Sequence, residues 1–66
     1  MAHYYVNDDA QEGGEHEVHT KECAWLPNNR TYLGLFDCCE DAIAEAKKRD
    51  YNADGCFWCS RDCHTR

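Results

Sequence analysis

Two short stretches decide how this chain folds: Val18-His19-Thr20-Lys21-Glu22-Cys23 in its first third, and Cys56-Phe57-Trp58-Cys59 near its end. Two thiols at C-x-x-C spacing on a tight turn can both reach one tetrahedral ion, with metal–sulfur distances near ~2.3 Å. Taken alone, C-x-x-C is shared by metal sites and redox dithiols. The upstream stretch sharpens it, because His19 and Cys23 bring an imidazole and a thiol to a predicted strand-to-turn junction. His19, Cys23, Cys56 and Cys59 together make a Cys3His set, a common closed structural zinc site. Thiolate-rich tetrahedral sites accept iron as well as zinc.

Size explains why such a staple is expected. The chain has 66 residues, and one domain of this length buries only about 60% of the surface its unfolded form exposes. The large aliphatics are few: Val6, Val18, Leu26, Leu33, Leu35 and Ile43. Aromatic residues must do much of the filling. Six cysteines stand at the level where composition signals a stapled scaffold, by metal or by disulfide.

Outward from the two stretches, the expected fold is α+β, a small antiparallel sheet of two to three strands with one packed helix. Tyr4–Val6 reads as a short strand. Residues 7–15, with Asp8-Asp9 and Gly13-Gly14, read as a loop, and 15–20 as a second strand. Leu26-Pro27-Asn28-Asn29-Arg30 is turn chemistry. Thr31–Phe36 (TYLGLF) is the best strand, and Gly34 within it predicts a bulge or a close backbone approach. Then the period changes to that of a helix. Asp37 and Glu40 suggest a capping box, the helix runs from Cys38 to Arg49, and Cys39, Ala42, Ile43 and Ala46 form its inner stripe. Asn52–Gly55 (NADG) reads as a turn, before a tail, 56–64, rich in ligand-type residues.

With those segments in place a family resemblance appears. VHTKECAWLP, RTYLGLF, a helix with DAIAEA, and ADGCFWC together resemble the Ada-type metal-binding domain and its relatives, over residues 18 to 59. The resemblance implies a small α+β unit whose two ends are joined by zinc, with ligation carried onto His19, Cys23, Cys56 and Cys59. The chain departs from the DNA-repair member at one position. There the first of four cysteine ligands accepts a methyl group from a phosphotriester, whereas His19 offers no thiolate nucleophile, so alkyl transfer is not expected. The chain also looks like small bacterial proteins whose function the resemblance does not supply.

Further Cys and His residues lie outside this set. Cys39 faces inward on the helix, either as a buried small hydrophobe or as a disulfide bridge to Cys63. Cys38 reads as a free thiol at a helix N-terminus, a position that favours thiolate. His64 offers a substitute ligand, giving Cys23, Cys56, Cys59 and His64. His16, flanked by Glu15 and Glu17, reads as an exposed strand residue with a substitute-ligand role as its alternative. Trp25 and Trp58 read as core or rim aromatics that shield the site.

The net charge of -6 suits a solvated acidic surface and opposes phosphate neutralisation, so no nucleic-acid partner is expected. The one basic run, Lys47-Lys48-Arg49, suits a helix C-terminus, with a local anion site as the alternative. No apolar run approaches the ~20 residues needed to span a bilayer, and the acidic first twenty residues lack a secretory h-region. A cytoplasmic protein follows as the expectation, since clustered thiols in a reducing compartment more often bind metal than pair. Little room remains for a substrate cleft, so no catalytic residue and no enzyme activity are expected. The reading is a zinc-binding structural or interaction module with an unidentified protein partner. Its alternatives are a metal-free domain held by disulfides, and a thiol redox protein using Cys56 and Cys59.

Overall fold

Strands form where β-branched and aromatic residues gather, and the one helix where alanines recur at helical spacing. The computed structural model describes residues 1–65. It contains β1 (Ala2–Asn7), β2 (His16–Thr20), β3 (Arg30–Phe36), α1 (Cys39–Lys48), β4 (Ala53–Gly55) and a 3-10 turn at Arg61–Cys63. The class is α+β as expected, but the sheet is larger and of a different kind. Four strands lie in the order β3-β1-β2-β4. β1 pairs antiparallel with both β2 and β3, while β4 pairs parallel with β2.

The parallel strand corrects the reading of residues 52–55 as a turn. Ala-Asp-Gly carries no strand propensity of its own, and its extended backbone is held by the edge of β2. Reaching that edge in a parallel sense requires a crossover, which α1 supplies on its way back over the sheet.

The helix packs through small residues. Ala42 and Ala46 are fully buried against Tyr4, Val6, Val18 and Leu33, with Phe36, Ile43 and Tyr51 closing the sides of the core. The bulge expected at Gly34 is present. Tyr4 pairs with Gly34 and Tyr5 with Tyr32, so Leu33 is an extra residue on β3. The insertion shifts the phase of the strand. Leu33 and Phe36 face the core as a result, and Leu35 is left exposed. Gly34 has a φ of 138°, a region that glycine tolerates, and the Phe36 ring lies against it.

Asp37 does not cap the helix. Cys38 occupies the N-cap position without a side-chain capping bond, which puts Glu40 one residue too early for the reciprocal bond of a capping box. At the other end the Asp50 N–H donates to the Lys47 carbonyl and that of Tyr51 to the Ala46 carbonyl, the double closure of a Schellman motif. Arg49 is engaged rather than free for an anion, since it pairs with Glu45 at 2.7 Å and donates to the Tyr32 carbonyl of β3 at 3.0 Å.

The C-terminal tail is fastened at close quarters. Cys39 and Cys63 form a disulfide, which joins the first turn of α1 to the tail. Asp54, only 3% exposed, accepts hydrogen bonds from the Thr65 N–H at 3.0 Å and the Thr65 hydroxyl at 2.8 Å. Gly55 is pressed so tightly that an added Cβ would lie 2.5 Å from the Ser60 carbonyl oxygen and 2.6 Å from Cys63 Cβ. Gly55→Ala is therefore expected to cost about 3 kcal/mol, the upper range for overpacking. Gly14→Ala, which meets nothing within 4 Å, should cost about 1 kcal/mol for its positive φ alone. Cys63→Ser should cost about 3 kcal/mol through lost loop closure. Denaturant titration of the three variants checks all three values.

Candidate metal centre

The parallel ladder brings the two halves of the site together. Val18 pairs with Gly55, and the Cys56 N–H donates to the Val18 carbonyl at 3.0 Å, which extends the pairing to the level of His19. Val18 faces the helix, so by strand alternation His19 points to the opposite side of the sheet. Tight turns then present the thiols. The Cys23 N–H donates to the Thr20 carbonyl at 3.1 Å, and the Ser60 N–H to the Cys56 carbonyl at 2.9 Å.

The result is a tight group. One ligand atom from each of His19, Cys23, Cys56 and Cys59 lies within 4.8 Å of all the others. Cys23 Sγ is 3.9 Å from Cys56 Sγ, and Cys59 Sγ is 3.9 Å from His19 Nδ1. Sulfur donors at ~2.3 Å from one tetrahedral centre stand about 3.8 Å apart. His19 and Cys56 are buried, at 1% and 2% exposure, and Cys23 and Cys59 are half-buried. These four side chains could hold one metal ion.

Backbone donors at each thiol favour ionised sulfur and work against burial. The Thr20 N–H donates to Cys59 Sγ at 3.3 Å, the Trp25 N–H to Cys23 Sγ at 3.4 Å, and the Trp58 N–H to Cys56 Sγ at 3.4 Å. Each ligand thiol thus has a backbone donor aimed at it. On the imidazole, Nδ1 faces Cys59 while Nε2 lies 3.6 Å from the Glu17 carboxylate. That separation is too long for a hydrogen bond, but it places an acid behind the ring, as in carboxylate–histidine–metal arrangements.

Without a cation the three thiols cannot all ionise. Burial pushes the Cys23 thiol up to about 12, with Cys59 and Cys56 adding to the rise against the opposing Trp25 amide. Burial also raises Cys56. Burial acts the same way on Cys59, yet hydrogen bonds from His19, the Thr20 amide, Cys23 and Ser60 outweigh it and bring that thiol down to about 6. Cys59 is thus the most readily ionised of the three, and Cys23 and Cys56 resist ionisation. A divalent cation is the group that would let all three ionise together.

The remaining sequence candidates lie elsewhere. Cys39 and Cys63 are spent on each other in the disulfide. His64 Nδ1 donates to the Gly55 carbonyl at 3.0 Å. His16 is half-buried rather than exposed, with Nδ1 2.9 Å from the Asn7 carbonyl oxygen and its ring edge-on to Tyr51. Cys38 is a free thiol, but its position does not favour thiolate. The Asp41 backbone amide lowers it, and desolvation with the Asp41 and Glu40 carboxylates raises it by more. Trp25 and Trp58 do not enter the core; at 63% and 68% exposure they stand side by side at the rim, ring centroids 6.4 Å apart.

Sequence reasoning passed over Glu17 and the two tryptophan amides. A signal for the amides was present, since Cys23-Ala24-Trp25 and Cys56-Phe57-Trp58 repeat the same Cys-x-Trp spacing. No protein-family model, curated protein or solved structure matches the chain.

The titration pattern gives a proton count. Because metal-bound thiolates must lose their protons, loading one ion near neutrality should release about two protons, from Cys23 and Cys56. Affinity should fall roughly a hundredfold for each pH unit of acidification. Calorimetry in buffers of differing ionisation enthalpy measures both. Release of no proton at neutral pH would contradict the assignment.

Proposed function

We propose that the protein is a small zinc-binding structural and interaction module in which one ion, held by His19, Cys23, Cys56 and Cys59, joins β2 to the C-terminal tail. The observation that carries this reading is the convergence of the four donors within 4.8 Å of one another, each sulfur met by a backbone N–H. Soft thiolate donors with one imidazole suit zinc, and a closed four-protein-ligand set suits a structural rather than a catalytic ion. No enzyme activity is assigned. Kinship with the Ada-type metal-binding domain belongs to the same proposal, on the order of its ligands and the strand and helix between them. A cytoplasmic place belongs to the same proposal on the free thiols of the donor group, which a reducing compartment preserves, while the Cys39–Cys63 disulfide speaks against it. No helix among the described residues is long and apolar enough to cross a membrane.

A second reading draws on Cys59. A thiol brought down to about 6 within a C-x-x-C is the feature a redox dithiol needs. A metal-free domain with further disulfides is the third.

Mass spectrometry separates the three. The zinc reading expects a native mass higher by one ion and a denatured mass two hydrogens below the reduced chain, for the single Cys39–Cys63 bond. A denatured mass six hydrogens short, unchanged by chelator, overturns it in favour of disulfides. Thiol–disulfide exchange by Cys56 and Cys59 in a metal-free sample favours the redox reading. Cys56→Ser should leave the domain largely unfolded, because metal binding supplies on the order of 10 kcal/mol in comparable peptides and whole domains are stable by only ~5–15 kcal/mol. Cys38→Ser should be mild. A cooperative thermal transition retained by Cys56→Ser would overturn the proposal.

A further inference from the structure

The most costly feature of this surface is aromatic. A chain short of large apolar side chains leaves Trp25 63% and Trp58 68% exposed, with Phe57 edge-on to Trp58 at 4.9 Å. Contiguous exposed apolar surface of this kind is uncommon unless it meets something. The backbone beneath the rings is also held in place. Each tryptophan lies two residues beyond a cysteine of the four-donor group and donates its backbone N–H to that cysteine's sulfur. The same turns that gather the sulfurs therefore set the two indoles side by side.

Beside them is an open cavity of about 250 Å³ lined by Glu17, Trp25, Cys56, Phe57 and Trp58. Its chemistry is selective. Aromatic faces are negative and attract cations, most strongly on tryptophan, and the one charged group in the lining is the Glu17 carboxylate. No basic side chain lines the cavity among the described residues. Ring faces on this surface already hold cations: the Arg30 guanidinium is 5.2 Å from the Tyr5 centroid, and that of Arg61 is 4.8 Å from the centroid of Phe57, which leaves the two indoles as the uncommitted faces of the lining. A second copy of the chain is a poor occupant, since it would bring another -6 of net charge against the first.

We propose that Trp25, Phe57, Trp58 and Glu17 form a recognition pocket for an organic cation, a methylated ammonium group carried by a free amine or by a lysine side chain. The two indoles offer their faces to the cation and Phe57 closes the side, while Glu17 supplies the countercharge. The pocket rests on the cysteine turns described above, whichever ion they hold.

The test follows tryptophan fluorescence of the protein as isolated during titration with choline, and in parallel with 3,3-dimethylbutanol, its uncharged carbon isostere. Saturable quenching by choline, about tenfold tighter than by the isostere, is expected. Trp58→Ala and Trp25→Ala should each lose it, and Glu17→Gln should weaken it severalfold, with amide dispersion confirming that each variant is folded. Equal response to choline and the isostere overturns the pocket, as does unchanged choline binding in folded Trp58→Ala. A trimethyl-lysine amide binding tighter than choline assigns the group to a protein side chain, and the reverse assigns it to a free amine; both support the pocket. Native mass on the same sample reads ion content separately. A bound ion without choline selectivity overturns this inference alone, whereas choline selectivity without an ion overturns the zinc reading alone.

Discussion

The parallel pairing of β2 with β4 is the constraint on which the rest of the molecule depends. Strands that run the same way finish at the same end of a sheet, and the chain leaves both of them into thiol-bearing turns. The pairing is only three residues long, His16 with Ala53, Glu17 with Asp54 and Val18 with Gly55. Such a short edge strand has little stability of its own. It is held by the Cys39–Cys63 bond that fastens the tail to α1, and the proposed ion in the four-donor group would hold it from beyond its end. Neither staple would substitute for the other, because they act on different layers: an ion in the donor group would tie the tail to the sheet, and the disulfide ties it to the helix.

What the sequence made legible follows from where its physics is local. Thr31–Phe36 is dense in strand formers, and the Cys39, Ala42, Ala46 stripe repeats at helical spacing, so both elements could be read directly. His19, Cys23, Cys56 and Cys59 could be grouped because metal-ligand spacing is local within each half-site. The fourth strand could not be read, since Ala53-Asp54-Gly55 becomes extended only through a partner more than thirty residues away. The helix cap lies one residue beyond Asp37, at Cys38, whose side chain makes no capping bond that the sequence could have announced. Leu35 reads as core by alternation, and only the extra residue at Leu33 turns it outward.

Gly55 shows how closely those long-range demands converge. It ends β4, and the Ser60 carbonyl and Cys63 side chain press on the space its Cβ would fill. The close approach lets the tail turn back across the strand so that Cys59 can face His19 while Cys63 reaches Cys39. A glycine read as turn punctuation is in fact the point where the sheet, the donor group and the disulfide meet. Asp54 beside it has the same double character, polar in composition yet buried and bonded to Thr65.

The exposure of the tryptophans has its cause in the same geometry. In Cys23-Ala24-Trp25 and again in Cys56-Phe57-Trp58, the backbone N–H two residues after the cysteine turns back to its sulfur. Turning the amide inward fixes that residue's backbone at the rim of the turn, where its side chain has no route back to the core. The turns thus explain the placement of the backbone and not the choice of side chain. Small polar residues would meet the backbone requirement equally well without displaying large apolar rings to water. Two indoles at equivalent positions beside one carboxylate shield the sulfurs from one side, and the same placement is what the proposed recognition of a cation would use.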